Sequence, residues 1–189
     1  MNTITEPKPI LESLQNMRSY YNSGVTKTDA FRKEQLQKLK DAVLRHEQDL
    51  HDALHTDLKK SAEESWVTET GFLVSEINAT LKNLKHWMQP EHTATNLVNL
   101  PSSSFIMHEP LGIVLVIGPW NYPLQLLFTP LVGAIAAGNS TVLKASEFAP
   151  ATDALIQKIF TETFLPEYVL YVQDYVPQGF PEMVTTFNL

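Results

Sequence analysis

Lys144 and Glu147 stand three residues apart, just past the short apolar run Ser140-Thr-Val-Leu-Lys144. A lysine ammonium brings charge and up to three donors, and a carboxylate accepts, so the pair suits a ligand carrying sugar hydroxyls or a phosphate. Lys144 is one of only two cations after residue 110. The plainer reading is that Lys144 solvates a strand end while Ser146 and Glu147 open a helix, and spacing alone favours it. Asn121 is the second candidate. It lies between Trp120 and Tyr122, with Pro119 and Pro123 on either side. Rigid prolines would hold its side chain in one direction, and an amide N–H aimed into a cleft can donate to a developing oxyanion. Asparagine is also a common turn residue, and on chemistry alone that reading prevails. His51 and His55 have the i, i+4 spacing of helical zinc ligands, with Asp52 between them. No third ligand is evident, so solvated helix surface is the reading and no metal is expected.

Cysteine is absent, which excludes disulfides, thiolate metal sites and a cysteine nucleophile supplied by these 189 residues. With 14 basic and 21 acidic side chains the net charge is −7, and neither half is basic, which excludes nucleic-acid binding through bulk charge. The first ten residues have no apolar signal core. Leu111–Leu143 carries no charged side chain over 33 residues, but Pro119, Pro123 and Pro130 interrupt it, so no membrane segment is expected and the location expected is cytoplasmic.

The elements that would position Asn121 and Lys144 follow from periodicity. Residues 9–22 read as a helix with Ile10, Leu14, Met17 and Tyr21 on one stripe, ended by Gly24. Residues 28–60 read as one long helix, and 62–88 as another with Trp66, Leu73, Ile77, Leu81 and Leu84 along one side. A polar loop is expected over 91–104. Strands follow at 105–107 and 112–117, the second apolar enough to be buried on both faces. A helix from about Pro123 to Ala137, a strand over 140–144, a helix over 151–164 and a strand over 168–173 complete an α/β order. Residues from Asp174 onward show no clear period. In such a sheet ligands bind beyond the carboxyl ends of the strands, where both candidate segments fall.

The block EPLGIVLVIGPWNYPLQLLFTPLVGAIAAGNSTVLKASE, residues 109–147, closely resembles aldehyde dehydrogenases. The variant PLGIVLVIGPWNYP, with the preceding helices, resembles the class 3 branch. The resemblance covers residues 9 to 173. It implies N-terminal helices followed by an incomplete Rossmann-like parallel sheet, divided into a helical segment with its connecting loop (1–104), a partial NAD(P)-binding domain (105–173) and an unassigned tail (174–189). It also implies that Asn121 is the oxyanion donor, that Ile117, Gly118, Pro119 and Trp120 line the nicotinamide side of a cofactor cleft, and that Lys144 and Glu147 contact the adenosine ribose. The cofactor would be NAD or NADP and the substrate an aldehyde. Where the family has Lys-Pro-Ser-Glu, this chain has Lys-Ala-Ser-Glu.

Other features of the family are missing: the cysteine nucleophile, the glutamate base, the Gly-Ser turn at the cofactor pyrophosphate and a second catalytic domain. The expectation is therefore an N-terminal portion, cut short or shifted in frame, without turnover of its own. The rival expectation is a non-catalytic piece that binds nucleotide weakly or associates with other subunits through exposed apolar surface. A third is part of an acyl-phosphate or acyl-CoA reductase, which the Trp-Asn-Tyr-Pro loop disfavours.

Overall fold

The computed structural model describes residues 7–172, so the tail from Asp174 and the last residue of the expected 168–173 strand lie outside the described residues. Helix α1 (Pro7–Asn22) buries Leu14 and Met17, and the chain turns at Gly24, whose φ of +78° is the left-handed conformation glycine adopts without strain.

The single helix expected over 28–60 is two helices. α2 (Asp29–Arg45) is capped by the Thr28 hydroxyl, which accepts from Phe31 N at 3.2 Å. It gives way at His46 to α3 (Glu47–Leu58). The His46 ring sits between Asp49, 3.2 Å from Nδ1, and Glu162, 3.7 Å from Nε2. This break re-aims the chain so that Leu50 and Leu54 join the same buried cluster as Leu36, Leu39 and Val43.

The helix expected over 62–88 is also interrupted. α4 (Ala62–Ser65) passes through one π-helical turn, Trp66–Thr70, into α5 (Gly71–Trp87). A π-turn carries an extra residue and shifts the phase of the side chains around it. Trp66, expected on the buried stripe, is consequently 55% exposed, whereas Glu69 and Thr70 are fully buried. Gly71 makes the turn possible, because a Cβ there would lie 2.7 Å from the Trp66 carbonyl oxygen. The stretch expected to be a loop, 91–104, contains β1 (Glu91–Thr93), which pairs antiparallel with β2 (Ser104–Ile106). β1 is wholly exposed and lacks apolar alternation, so no strand pattern marks it.

The parallel sheet has the order β3 (Ile113–Ile117), β4 (Ser140–Lys144), β5 (Val169–Tyr171). α6 (Gln125–Ala137) connects the first two strands and α7 (Pro150–Thr163) the last two. Alternate side chains divide between two layers, as the two-residue period requires. Leu143, Val169 and the half-buried Val116 and Tyr171 enter the large cluster with α2, α3, α5, α6 and α7. Val142, Ile113 and Leu170 face the other way, where α1 supplies Leu14 and Met17. β4 is the fully buried strand. β3, expected to be buried on both faces, is an edge strand among the described residues, and its Ile117 is 50% exposed. No helix of the described residues is long and apolar enough to cross a membrane.

Candidate functional site

Neighbouring parallel strands bring the two candidate segments together. Ile117 pairs in register with Lys144, and the next amide, Gly118 N, donates to the Lys144 carbonyl at 2.9 Å. Pro119, Trp120 and Asn121 therefore leave the tip of β3 beside the place where Ala145, Ser146 and Glu147 leave β4. Gly118 is tight for a structural reason, since a Cβ would come within 3.0 Å of the Leu127 Cβ on α6. Trp120 and Asn121 are exposed beyond it.

Lys144 is 8% exposed at its strand tip. Its Nζ donates to the Ala145 carbonyl at 3.1 Å and to Glu147 Oε2 at 3.0 Å. The Glu147 carboxyl is held below the usual range by its own backbone N–H and then by Lys144. Its side chain is 58% exposed. The arrangement leaves a buried-stem ammonium and a solvent-facing carboxylate side by side, a donor and an acceptor set for adjacent hydroxyls. Ala145, in the place of the family's proline, is buried and its carbonyl takes one of the Lys144 protons.

The far end of the Asn121 loop is held by residues that periodicity did not nominate. Glu69, on the π-turn, accepts from Leu124 N at 3.0 Å and Gln125 N at 2.9 Å with Oε2, capping α6. Its Oε1 accepts from Lys60 Nζ at 2.5 Å, and that ammonium lies 4.0 Å from the centre of the Tyr122 ring. α7 is capped in the same manner. Asp57 of α3 accepts from Ala151 N at 3.2 Å, Thr152 N at 2.8 Å and the Thr152 hydroxyl at 2.8 Å. Neither helix has a side-chain cap of its own. A signal for Glu69 existed in the sequence: it falls four residues before Leu73 and eight before Ile77, a lone carboxylate on an apolar stripe.

His51 is not solvated helix surface. It is buried, and its Nε2 lies 3.0 Å from the Thr70 hydroxyl, while His55 is exposed with Nδ1 3.0 Å from the Lys60 carbonyl. No group of three or more metal-ligating side chains is gathered among the described residues. A groove of about 890 Å³ lies at the opposite end of the sheet, lined by Lys27, Arg32, Trp87, Met107, Glu109 and Ala136 among others, and contains none of the candidate residues.

A parallel sheet with an ammonium–carboxylate pair and an exposed amide on adjacent strand tips defines part of an open α/β fold. The comparisons are more specific. The pattern of the aldehyde dehydrogenase family matches residues 14–180, running past Gln173, and the chain belongs to that family. It is 39% identical over 180 residues to the 4,4'-diaponeurosporen-aldehyde dehydrogenase of Staphylococcus aureus, covering 95% of this chain and 38% of that protein. With the aldehyde dehydrogenase family 3 member B3 of Mus musculus it shares 45% identity over 161 residues, covering 85% of this chain and 33% of the relative. The substrate-bound structure of Staphylococcus aureus AldH superposes with a TM-score of 0.89 at 37% identity, over 97% of this chain and 39% of that one. The chain thus spans about a third to two-fifths of the length of these relatives.

Proposed function

We propose that these residues form the N-terminal portion of an NAD(P)-dependent aldehyde dehydrogenase of the class 3 type, supplying the oxyanion donor and the adenosine side of the cofactor cleft. The observation that carries this reading is the pairing of Ile117 with Lys144, which sets the Asn121 loop and the Lys144–Glu147 pair on adjacent strand tips. NAD or NADP, when bound, accepts the hydride of aldehyde oxidation. The residues fit the adenosine ribose: Lys144 retains a donor beyond its two bonds, and Glu147 presents a largely solvent-exposed carboxylate beside it. They do not offer a seat for phosphates at the α6 start, because Glu69 already occupies the two amides there. The phosphates would be held by residues other than these amides.

The Asn121 amide N–H would donate to the oxygen of the aldehyde carbonyl as a thiolate adds to its carbon. That thiolate must come from outside these 189 residues, which contain no cysteine. The chain alone would therefore turn over no aldehyde. Isothermal titration with NAD, NADP and AMP tests the reading. Loss of a charged hydrogen bond in Lys144→Ala should weaken binding by about tenfold or more. Equal affinity in the variant, or steady NADH production by the chain with an aldehyde, would refute it. The rival reading of an associating piece rests on exposed Leu97, Val98, Phe105, Ile106 and Met107 around the β1–β2 hairpin.

A further inference from the structure

Glu69 is fully buried and Lys60 nearly so, and together they tie their own segment to residues 122–125. A buried carboxylate must have its lone pairs satisfied and its charge matched, and each is matched here. One oxygen takes the Lys60 ammonium; the other takes the Leu124 and Gln125 amides, 55 and 56 residues away in sequence. A helix start is ordinarily capped by its own Ser, Thr or Asp. At α6 the N-cap is Leu124, with no side-chain cap, and a long-range charge does the same task. The consequence for the loop is direct. Its first residue, Gly118, is pinned to Lys144 and wedged against Leu127. Its last turn is pinned to Glu69, and the Tyr122 ring covers the Lys60 ammonium. Asn121, one residue from Tyr122, is exposed, so burial does not fix its direction.

We propose that the Lys60–Glu69 pair is a positioning device that holds the Asn121 loop at its α6 end, so that the carboxamide stays aimed where an oxyanion forms. The inference deepens, and in its purpose rests on, the reading of Asn121 as oxyanion donor. The holding itself is measurable without any turnover.

Trp120, adjacent to Asn121, reports on the loop. The chain has 3 tryptophans, and Trp66 is kept because its ring packs on Gly71 in the π-turn that carries Glu69; the indole N–H of Trp120 is instead resolved by its own resonance. Nitrogen-15 relaxation of the Trp120 indole is compared in the parent, Glu69→Gln and Lys60→Met, with Asp57→Asn as a control that loosens the cap of α7 and leaves that of α6 intact. The amplitude of nanosecond motion of Trp120 should rise about twofold or more in the first two variants and stay at the parent value in the control. The urea midpoint should fall in all three. If the Lys60 and Glu69 variants lose stability while Trp120 moves as in the parent, the pair is structural cement and the proposal is overturned. Should Glu69→Gln not fold, Glu69→Asp carries the test, because it keeps the charge but shortens the reach to the Leu124 and Gln125 amides; unchanged Trp120 motion there is equally decisive. Failure of the parent chain to bind nucleotide would count against the proposed function and leave these results standing, so the two failures are separable.

Discussion

Replacing Asp57 probes the long-range design of the site most sharply. Among the described residues its carboxylate is the side-chain cap of α7, the helix that follows the Lys144–Glu147 segment, and it takes two amides and a hydroxyl. Removing a capping side chain costs about 1–2 kcal/mol, and the lost charge at a helix N-terminus adds up to about 1 kcal/mol. The Thr152 hydroxyl, on a residue with no exposed surface, loses its acceptor at a further cost of about 1 kcal/mol. The three bonds share one group and do not simply add, so Asp57→Ala should cost about 2–3 kcal/mol. With a urea slope of about 2 kcal/mol/M for a chain of this size, the unfolding midpoint should fall by about 1–1.5 M. Asp57→Asn, which keeps an acceptor and loses the charge, should recover about half of that. Equilibrium urea unfolding followed by circular dichroism is the assay. A change below about 0.5 kcal/mol for Asp57→Ala would mean that water caps α7 as well, and the reasoning from buried amides would be wrong.

Other expectations follow from the same contacts. Burial raises the hydroxyl of Tyr168, and burial together with its hydrogen bond to Asp153 raises that of Tyr171. Both stay protonated in the native state while the unfolded chain ionises near pH 10, so their stabilisation is complete below that pH and is lost as pH rises above it, by about 1.4 kcal/mol per pH unit for each. Tyr171→Phe should flatten the alkaline limb of a urea midpoint-versus-pH series, and an unaltered limb would contradict the assignment. Gly138 sits at φ +89° with its hydrogen face against Arg32 Nη2, where a Cβ would lie 2.6 Å away, so Gly138→Ala should destabilise by about 2 kcal/mol or more. Gly133, inside α6 with open space around it, should gain about 0.5–1 kcal/mol on substitution by alanine in the same denaturation assay. Light scattering should detect association of the chain, and Ile106→Lys, at a site 48% exposed, should reduce it; a monodisperse monomer would remove the rival reading of an associating piece.

What was legible in the sequence was whatever repeats at short range. The β3–α6–β4–α7–β5 order followed from apolar runs punctuated by proline and glycine, and the strand-tip positions of Asn121 and Lys144 followed from that order. The breaks at His46 and at the Trp66–Thr70 π-turn were missed because both preserve helical composition; they alter phase, which a stripe of leucines tolerates by a residue or two. β3 read as buried on both faces because apolar content does not distinguish an edge strand from a central one, whereas its neighbour β4 is the strand wholly enclosed. Glu69 stands out as a lone carboxylate on an apolar stripe, but which helix it or Asp57 caps was illegible for a different reason. Their partners lie more than fifty residues away, and no local spacing rule connects a carboxylate on one helix to the first amides of another.

On the proposed function, the strand tips carrying Ile117 and Lys144 form the edge of a dinucleotide cleft. Titrating the isotope-labelled chain with NAD and following its amide resonances tests this most directly. The shifts should concentrate at Ile117, Gly118 and Trp120 and at Lys144 to Glu147, and Lys144→Ala should move the titration to about tenfold higher NAD or more. Shifts centred instead on Lys27, Arg32, Glu109 and Ala136, around the groove at the other end of the sheet, would contradict it.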